Sequence, residues 1–375
     1  MQWAHARLGC EVWWVEPYPA RLPRLADLRR LGPARRQAQR GLAPPWSGEA
    51  WLHVVAGRSL PVEPLPGGAR LIGRMQRDLR ARLKALLADG DTWLVVGRPS
   101  GLALELARAQ DGRRVLFDVM DDMPQFSRGL SRRWMQRVQT ALLQQCQAVW
   151  GSSSRIVSHL REQTRAPVQL VRNGTALPAE AADGVSEGTR VGDAAHARAP
   201  LVLGYVGTLA AWFDWQLLAR LAQALPQAQF HIHGPVEGEV PARLPGNVRL
   251  LGPVAHARVF GLMRGWHAGL IPFLHNRLTQ SVDPVKYYEY RACGLPVLST
   301  LFGEMPSHAS QDEGVWSLDA PPAPELEQRL RDWHARQARR RASGQPLCPA
   351  YVQSATWESR FERGASGCGW LGSPE

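Results

Sequence analysis

Short apolar runs rich in β-branched residues alternate with stretches of helical periodicity along most of the chain, and this alternation points to one fold class, α/β with parallel sheets. Residues 11–15, 52–55, 92–96, 114–117, 148–150 and 168–171 read as strands. Among them, Leu71, Met75, Leu79, Leu83 and Leu86 recur every three or four residues and predict one amphipathic helix over 71–87. The pattern lapses over 178–200, where Ala, Gly, Asp and Glu replace periodic apolar residues, as in a linker or mobile loop. It resumes with strands at 201–206, 230–233, 248–251, 268–271 and 296–300 and helices at 215–225, 256–263 and 284–292. A Pro-rich stretch at 320–324, an amphipathic segment at 326–341 and a last helix near 356–363 follow. At 375 residues the chain exceeds one ordinary core and suits two. The prediction is two Rossmann-like domains facing a cleft, over 1–180 and 200–330, with a linker over 181–199 and a disordered tail over 364–375.

The start departs from this plan. A domain of this kind opens with a buried strand, a Gly-rich turn and a helix. Here the first residues read as the end of that helix, stopped by Gly9, and 11–15 as the strand after it. The first strand of the N-terminal domain is missing from the pattern.

An apolar share of 45% and a charged share of 21% are those of a globular protein in water, and the longest apolar runs, such as 268–273, are far too short to span a membrane. Residues 1–17 lack the basic, apolar and small-residue succession of a secretory signal, so the cytoplasm is the expected location. Cys10, Cys146, Cys293, Cys348 and Cys368 are scattered, with no CxxC pair, and read as reduced thiols rather than as a disulfide framework or a zinc site. The net charge of +12 resides in residues 1–180, and the remainder is neutral. A basic domain suits an anionic partner: a phospholipid surface, a lipid-linked diphosphate or nucleic acid. Lys84 and Lys286 are the chain's lysines, so a drift towards arginine accounts for the excess equally well.

The segment SVDPVKYYEYRACGLPVLST, residues 281–300, is the most closely specified. Asp283 suits a helix N-cap, Pro284 the first helical position, and Gly294 a stop ahead of a short buried strand. Lys286, Glu289, Tyr290 and Cys293 share one face of that helix. Free amides and the positive dipole end suit a diphosphate, and a carboxylate one turn further in suits the vicinal hydroxyls of a ribose. The alternative is an ordinary surface helix with a Lys286–Glu289 ion pair worth a few tenths of a kcal/mol.

This segment resembles the nucleotide-binding signature of the group 1 (family four) GT-B glycosyltransferases: glutamate, seven residues, glutamate, then an Ala, Gly, Pro, Val sequence. LGYVGTLAAWFDWQLLARLA, FHIHGP and AGLIPF resemble successive strand regions of that family's second domain. VLFDVMDDMPQF, WGSSSRIVSHL and LVRNGTAL resemble motifs of its first domain and interdomain passage, and SATWESRF resembles its last helix. The likeness runs from residue 1 to about 363 and is specific at 286–300. It implies a GT-B fold, with the 353–363 helix returning to the first domain. It also implies metal-independent, retaining transfer of a hexosyl group, with no cofactor, from a nucleotide-diphosphate sugar to a glycan or lipid-linked acceptor in polysaccharide or glycolipid biosynthesis.

By the same resemblance Glu289 falls on the ribose-binding glutamate. Ser281 stands where the family has its first glutamate, and Asp283 is the carboxylate available to substitute for it. Thr208 stands where many members carry an arginine, which leaves Lys286 and Arg277 as candidates for the charge on the leaving diphosphate. Gly207, Thr208 and Gly234, at strand ends, complete the predicted donor site. Lys286 is predicted to be catalytic, as are Asp121 and Asp122, which lie in the loop after a strand and are expected to line the first domain's side of the cleft; for the two acids a solvated acidic turn is the alternative. Asp89-Gly90-Asp91 matches the Asp-x-Asp pattern of metal-using sugar transferases but lies in a turn far from the signature, and no metal is expected.

The basic first domain is the acceptor side in this scheme. Residues 21–40 hold seven arginines and one acid, with Leu22, Leu25, Leu28 and Leu31 at three-residue spacing and Trp13, Trp14 and Tyr18 just before. They predict a peripheral contact with an anionic inner-membrane face, or a solvated basic loop. Three other readings compete: a truncated, catalytically impaired relative, a nucleotide-sugar epimerase, and a basic nucleic-acid-binding protein. Against the last stand the missing aromatic platform and the neutral second half.

Overall fold

The computed structural model describes residues 1–16, 48–55, 57, 59–111, 113–176, 199–320 and 325–367. The basic segment 21–40, Tyr18, Cys368, residues 321–324 and all of the predicted linker but Ala199 lie outside the described residues. The chain divides into two compact units, Met1–Val171 with Phe361–Glu375, and Arg172–Arg360. Each is α/β with parallel strand pairing, the fold class that the sequence pattern predicts.

In the first unit, α1 (Gln2–Leu8) ends at Gly9, whose φ of 63° lets its N–H reach the His5 carbonyl. Strands β1 (Val12–Val15) and β2 (Leu52–Val55) pair in register, Val12 against Leu52. The predicted helix over 71–87 is instead two, α2 (Gly68–Met75) and α3 (Arg77–Leu87). Gln76, at φ −109° and ψ 18°, breaks the helical path between them, and apolar spacing carries no signal of such a backbone break. The remaining strands are β3 (Leu94–Val96), β4 (Val115–Val119), β5 (Ala148–Gly151) and β6 (Val168–Leu170), ordered β3-β4-β5-β6. Helix α4 (Gly101–Ala109) is capped by Ser100 and α6 (Ser154–Arg161) by Ser153, each hydroxyl accepting the backbone N–H three residues on, that of Ala103 and of Ile156. Between them α5 (Gly129–Leu143) packs Val138, Leu142 and Leu143 on one face of the sheet, against Val115, Phe117 and Val149. The other face, Leu116, Ala148 and Trp150, is covered by Phe361 of the last helix, α13 (Trp357–Gly367). Residues 364–367 of the predicted tail are thus helical, and 368–375 lie outside the described residues.

The second unit holds one six-stranded sheet, β12-β11-β10-β7-β8-β9. Its strands are β7 (Val202–Val206), β8 (Gln229–His233), β9 (Val248–Gly252), β10 (Ala268–Ile271), β11 (Val297–Ser299) and β12 (Val315–Ser317). Between them run α7 (Trp215–Ala224), α8 (Val259–Arg264), α9 (Val285–Ala292) and α10 (Met305–Gln311), and α11 (Leu326–Ala342) and α12 (Ala350–Gln353) follow β12. The first strand, β7, lies centrally between β8 and β10, so chain order reverses there. In the first unit no described strand takes the corresponding place. Its sheet is in two pieces, β1-β2 and β3 to β6, although Val15 and Leu94 both pack against the cluster of Ile72, Leu83, Leu102 and Leu106.

Candidate functional site

Open parallel sheets bind ligands beyond the carboxyl ends of their strands, where chain order reverses, because the loops there diverge and leave a crevice. In the second unit that place is the end of β7, beside β8 and β10. Gly207 and Gly234, at φ 146° and 145°, form the turns leaving β7 and β8. They are stacked so closely that a Cβ on Gly234 would lie 1.9 Å from the Gly207 carbonyl oxygen. Thr208 follows, its carbonyl accepting the Tyr205 hydroxyl at 2.9 Å.

Helix α9 delivers two charged side chains here. Its placement is set by Gly269 of β10, where a Cβ would lie 2.2 Å from the Tyr290 ring, and the Tyr290 hydroxyl meets the Val206 N–H and the Leu270 carbonyl at 3.4 Å. Lys286 reaches the Gly207 turn: a Cβ on Gly207 would meet its Cε at 2.5 Å and its Nζ at 2.6 Å. The ammonium stands 5.3 Å from the Tyr205 ring centre and 5.9 Å from that of Phe273. Burial lowers the Lys286 pKa, with Glu289 opposing the shift. Burial raises that of Glu289 against the pull of Lys286 and His256. Both side chains are half-buried. A fixed cation beside glycine turns and a carboxylate one helical turn on form an arrangement that can hold an anion next to a hydroxyl-bearing group.

The helix start differs from its prediction. Pro284 is the N-cap residue, at φ −75° and ψ 119°, with no side-chain cap. Asp283 does not cap α9; its buried carboxylate accepts the Asn173 N–H at 3.1 Å, the Tyr288 hydroxyl at 2.9 Å and a bond with His308 Nε2 at 2.8 Å. A capping residue and one turned inward look the same in sequence. Ser281 is buried in a single 3-10 turn, Thr279–Ser281. Arg277 is exposed in the loop after β10, a loop shaped by the Asn276 side chain, which accepts the N–H groups of Leu278 and Thr279 at 2.9 and 3.1 Å.

The structure therefore gathers Gly207, Thr208, Gly234, Lys286, Glu289, Ser281, Asp283 and Arg277 in the second unit, on α9 and the segments that follow β7, β8 and β10. Asp121 and Asp122 belong to the first unit, after β4. Burial, then Asp122, pushes the Asp121 carboxyl up to about 6. Burial also raises Asp122, against Gln125, His159, Arg132 and Arg155. Asp118, within β4, is pushed up to about 7 by burial and then by Asp121. Sequence reasoning passed over Asp118, although an acid inside the apolar run VLFDV was a readable signal. It also passed over His233, whose Nε2 is buried at the end of β8 with no hydrogen-bond partner among the described residues, and His256, which lowers the Glu289 pKa. His233 stands in FHIHGP, which was read only as a strand end, and His256 stands in none of the quoted motifs.

A family model described as "Glycosyl transferase-like" matches residues 214–364. A search of curated proteins finds no match. Among solved structures the chain is similar to Alr3699/HepE of Anabaena, solved with UDP and glucose, at 14% identity and TM-score 0.55, covering 96% of this chain and 100% of that one. It is similar to WaaG, a glycosyltransferase involved in lipopolysaccharide biosynthesis, at 13% identity and TM-score 0.52, covering 97% and 100%. It is also similar to the pneumococcal O-GlcNAc transferase GtfA, solved with UDP and GlcNAc, at 13% identity and TM-score 0.50, covering 79% of this chain and 60% of GtfA's length. The chain thus has a GT-B type of fold along its length, and its residues 214–364 are similar to the glycosyl transferase-like family.

Proposed function

We propose that the protein transfers a hexosyl group, with retention of configuration, from a nucleoside-diphosphate sugar to a glycan or lipid-linked acceptor in polysaccharide or glycolipid assembly. One observation carries the reading: Lys286 is set against the Gly207 turn, and Glu289 stands one turn further along the same helix. In this reading the glycine turns let the backbone approach the diphosphate, and Glu289 accepts hydrogen bonds from the ribose hydroxyls. Breaking the sugar–phosphate bond builds positive charge on the ring and negative charge on the departing diphosphate, which Lys286, with Arg277, stabilises. The reading assigns no metal and no cofactor. Asp121 and Asp122 are proposed on the acceptor side. The basic first unit is proposed to meet an anionic lipid surface, and sedimentation with anionic vesicles at moderate salt tests that part.

Turnover of a panel of nucleoside-diphosphate sugars, followed by release of the nucleoside diphosphate, tests the reaction. Glu289→Ala is expected to lose most of the rate, and the anomeric configuration of the product decides the stereochemistry. A second reading, a catalytically impaired relative, is favoured by the divided sheet of the first unit and by Ser281 in place of a glutamate. Nucleotide binding without transfer to any acceptor is its signature.

A further inference from the structure

The chain passes between its two units at Val171/Arg172 and at Arg360/Phe361. Within the second unit, the segments next to these passages are fastened to each other. Thr175 and Thr356 form a parallel bridge, the Thr175 N–H donates to the Ala355 carbonyl at 2.9 Å, and Arg360 Nε donates to the Asn173 carbonyl at 3.1 Å. The approach is close: a Cβ on Gly174 would lie 2.8 Å from the Ala355 carbonyl oxygen.

The same segments are fastened to the residue two before α9. The Asn173 N–H donates to Asp283 Oδ2 at 3.1 Å, and the Asn173 side-chain amide donates to the Asp283 carbonyl. Tyr288 of α9 shares that Oδ2, and His308 of α10 holds Oδ1. Arg172 pairs with Glu304, which stands just before α10. Asp283 is thus a fully buried junction of three elements: the 172–175 segment, α9 and α10. Leaving any of these buried groups unpaired costs the desolvation of that group, so the elements yield together rather than one by one.

We propose that Asp283 is a positioning residue that couples the two passages of the chain to the first turn of α9, so that the placing of Lys286 and Glu289 depends on the course of 172–175. The inference rests on the reading of α9 as the nucleotide-binding helix. It gives Asp283 a part in the reaction without contact to the donor.

Hydrogen exchange on the full chain, with and without saturating UDP, GDP or ADP, tests it, because the Asn173 N–H reports directly on the bond to Asp283. Nucleotide is expected to slow exchange at 285–292 and also at 172–175. Asp283→Asn, which keeps an acceptor oxygen in place, retains the joint response. Asp283→Ala abolishes the response at 172–175 and weakens nucleotide binding about tenfold, the size of one lost hydrogen bond to a charged group. Asn173→Ala, which leaves the carboxylate its other partners, weakens the joint response and serves should Asp283→Ala fail to fold. Protection confined to 285–292, or a joint response unchanged in Asp283→Ala and Asn173→Ala, overturns the coupling while leaving the nucleotide site standing. Absence of nucleotide-dependent protection anywhere overturns the reading of α9, and the coupling with it.

Discussion

At Lys286, burial and chemistry pull in opposite directions. Burial lowers its pKa below the ordinary 10.5, whereas the proposed role needs the proton in place. Transfer should therefore fall along an alkaline limb that starts below the usual lysine range, seen in the pH profile of kcat. Lys286→Arg, which stays protonated, should lose that limb and also turn over about tenfold or more slowly, because a planar fork does not fit against the Gly207 turn. Asp118 gives a stability prediction instead. Its carboxyl is raised from 3.8 to about 7, so the folded state binds more protons than the unfolded chain between those values. Stability contributed by the protonated form is therefore full below about pH 4 and is lost as pH rises through 7. Asp118→Asn should raise the melting temperature by about 2–8 °C at pH 8 and leave it nearly unchanged at pH 3.5. Lys286 and Glu289 could be proposed from sequence because chemistry and helical spacing coincide in one short segment. Asp118, His233 and His256 were not singled out, since their significance lies in what the fold packs around them.

Helix α9 owes its position to a contact made by the absence of a side chain. Gly269→Ala would drive a methyl into the Tyr290 ring, and the expected result is a loss of about 1–3 kcal/mol in denaturant unfolding, together with weakened nucleotide binding as the helix is pushed off the sheet. Lower on the same helix Arg291 is tied to Asp312 at 2.7 and 3.1 Å, with both side chains about 3% exposed. Asp312→Ala strands a buried guanidinium and should cost about 3–5 kcal/mol, measured in the same way. Element boundaries show where sequence reading stops. Apolar runs marked the described strands except β12, whose three residues are too short a run to stand out, and the break at Gln76 and the inward turn of Asp283 are decided by tertiary packing, which propensity does not encode.

For the whole molecule, the α/β class and the parallel pairing followed from the order of strand and helix signals. In the second unit the central place of β7 sets two glycine turns beside one helix, and the charged pair on that helix completes the candidate site. The central claim is that Glu289 and Lys286 hold a nucleoside diphosphate. Calorimetric titration of UDP, GDP and ADP into the full chain, repeated with Glu289→Ala, tests it most directly. The account predicts saturable binding of one of the three, weakened about tenfold or more by Glu289→Ala. Binding of none of them, or binding that Glu289→Ala leaves undiminished, would contradict it.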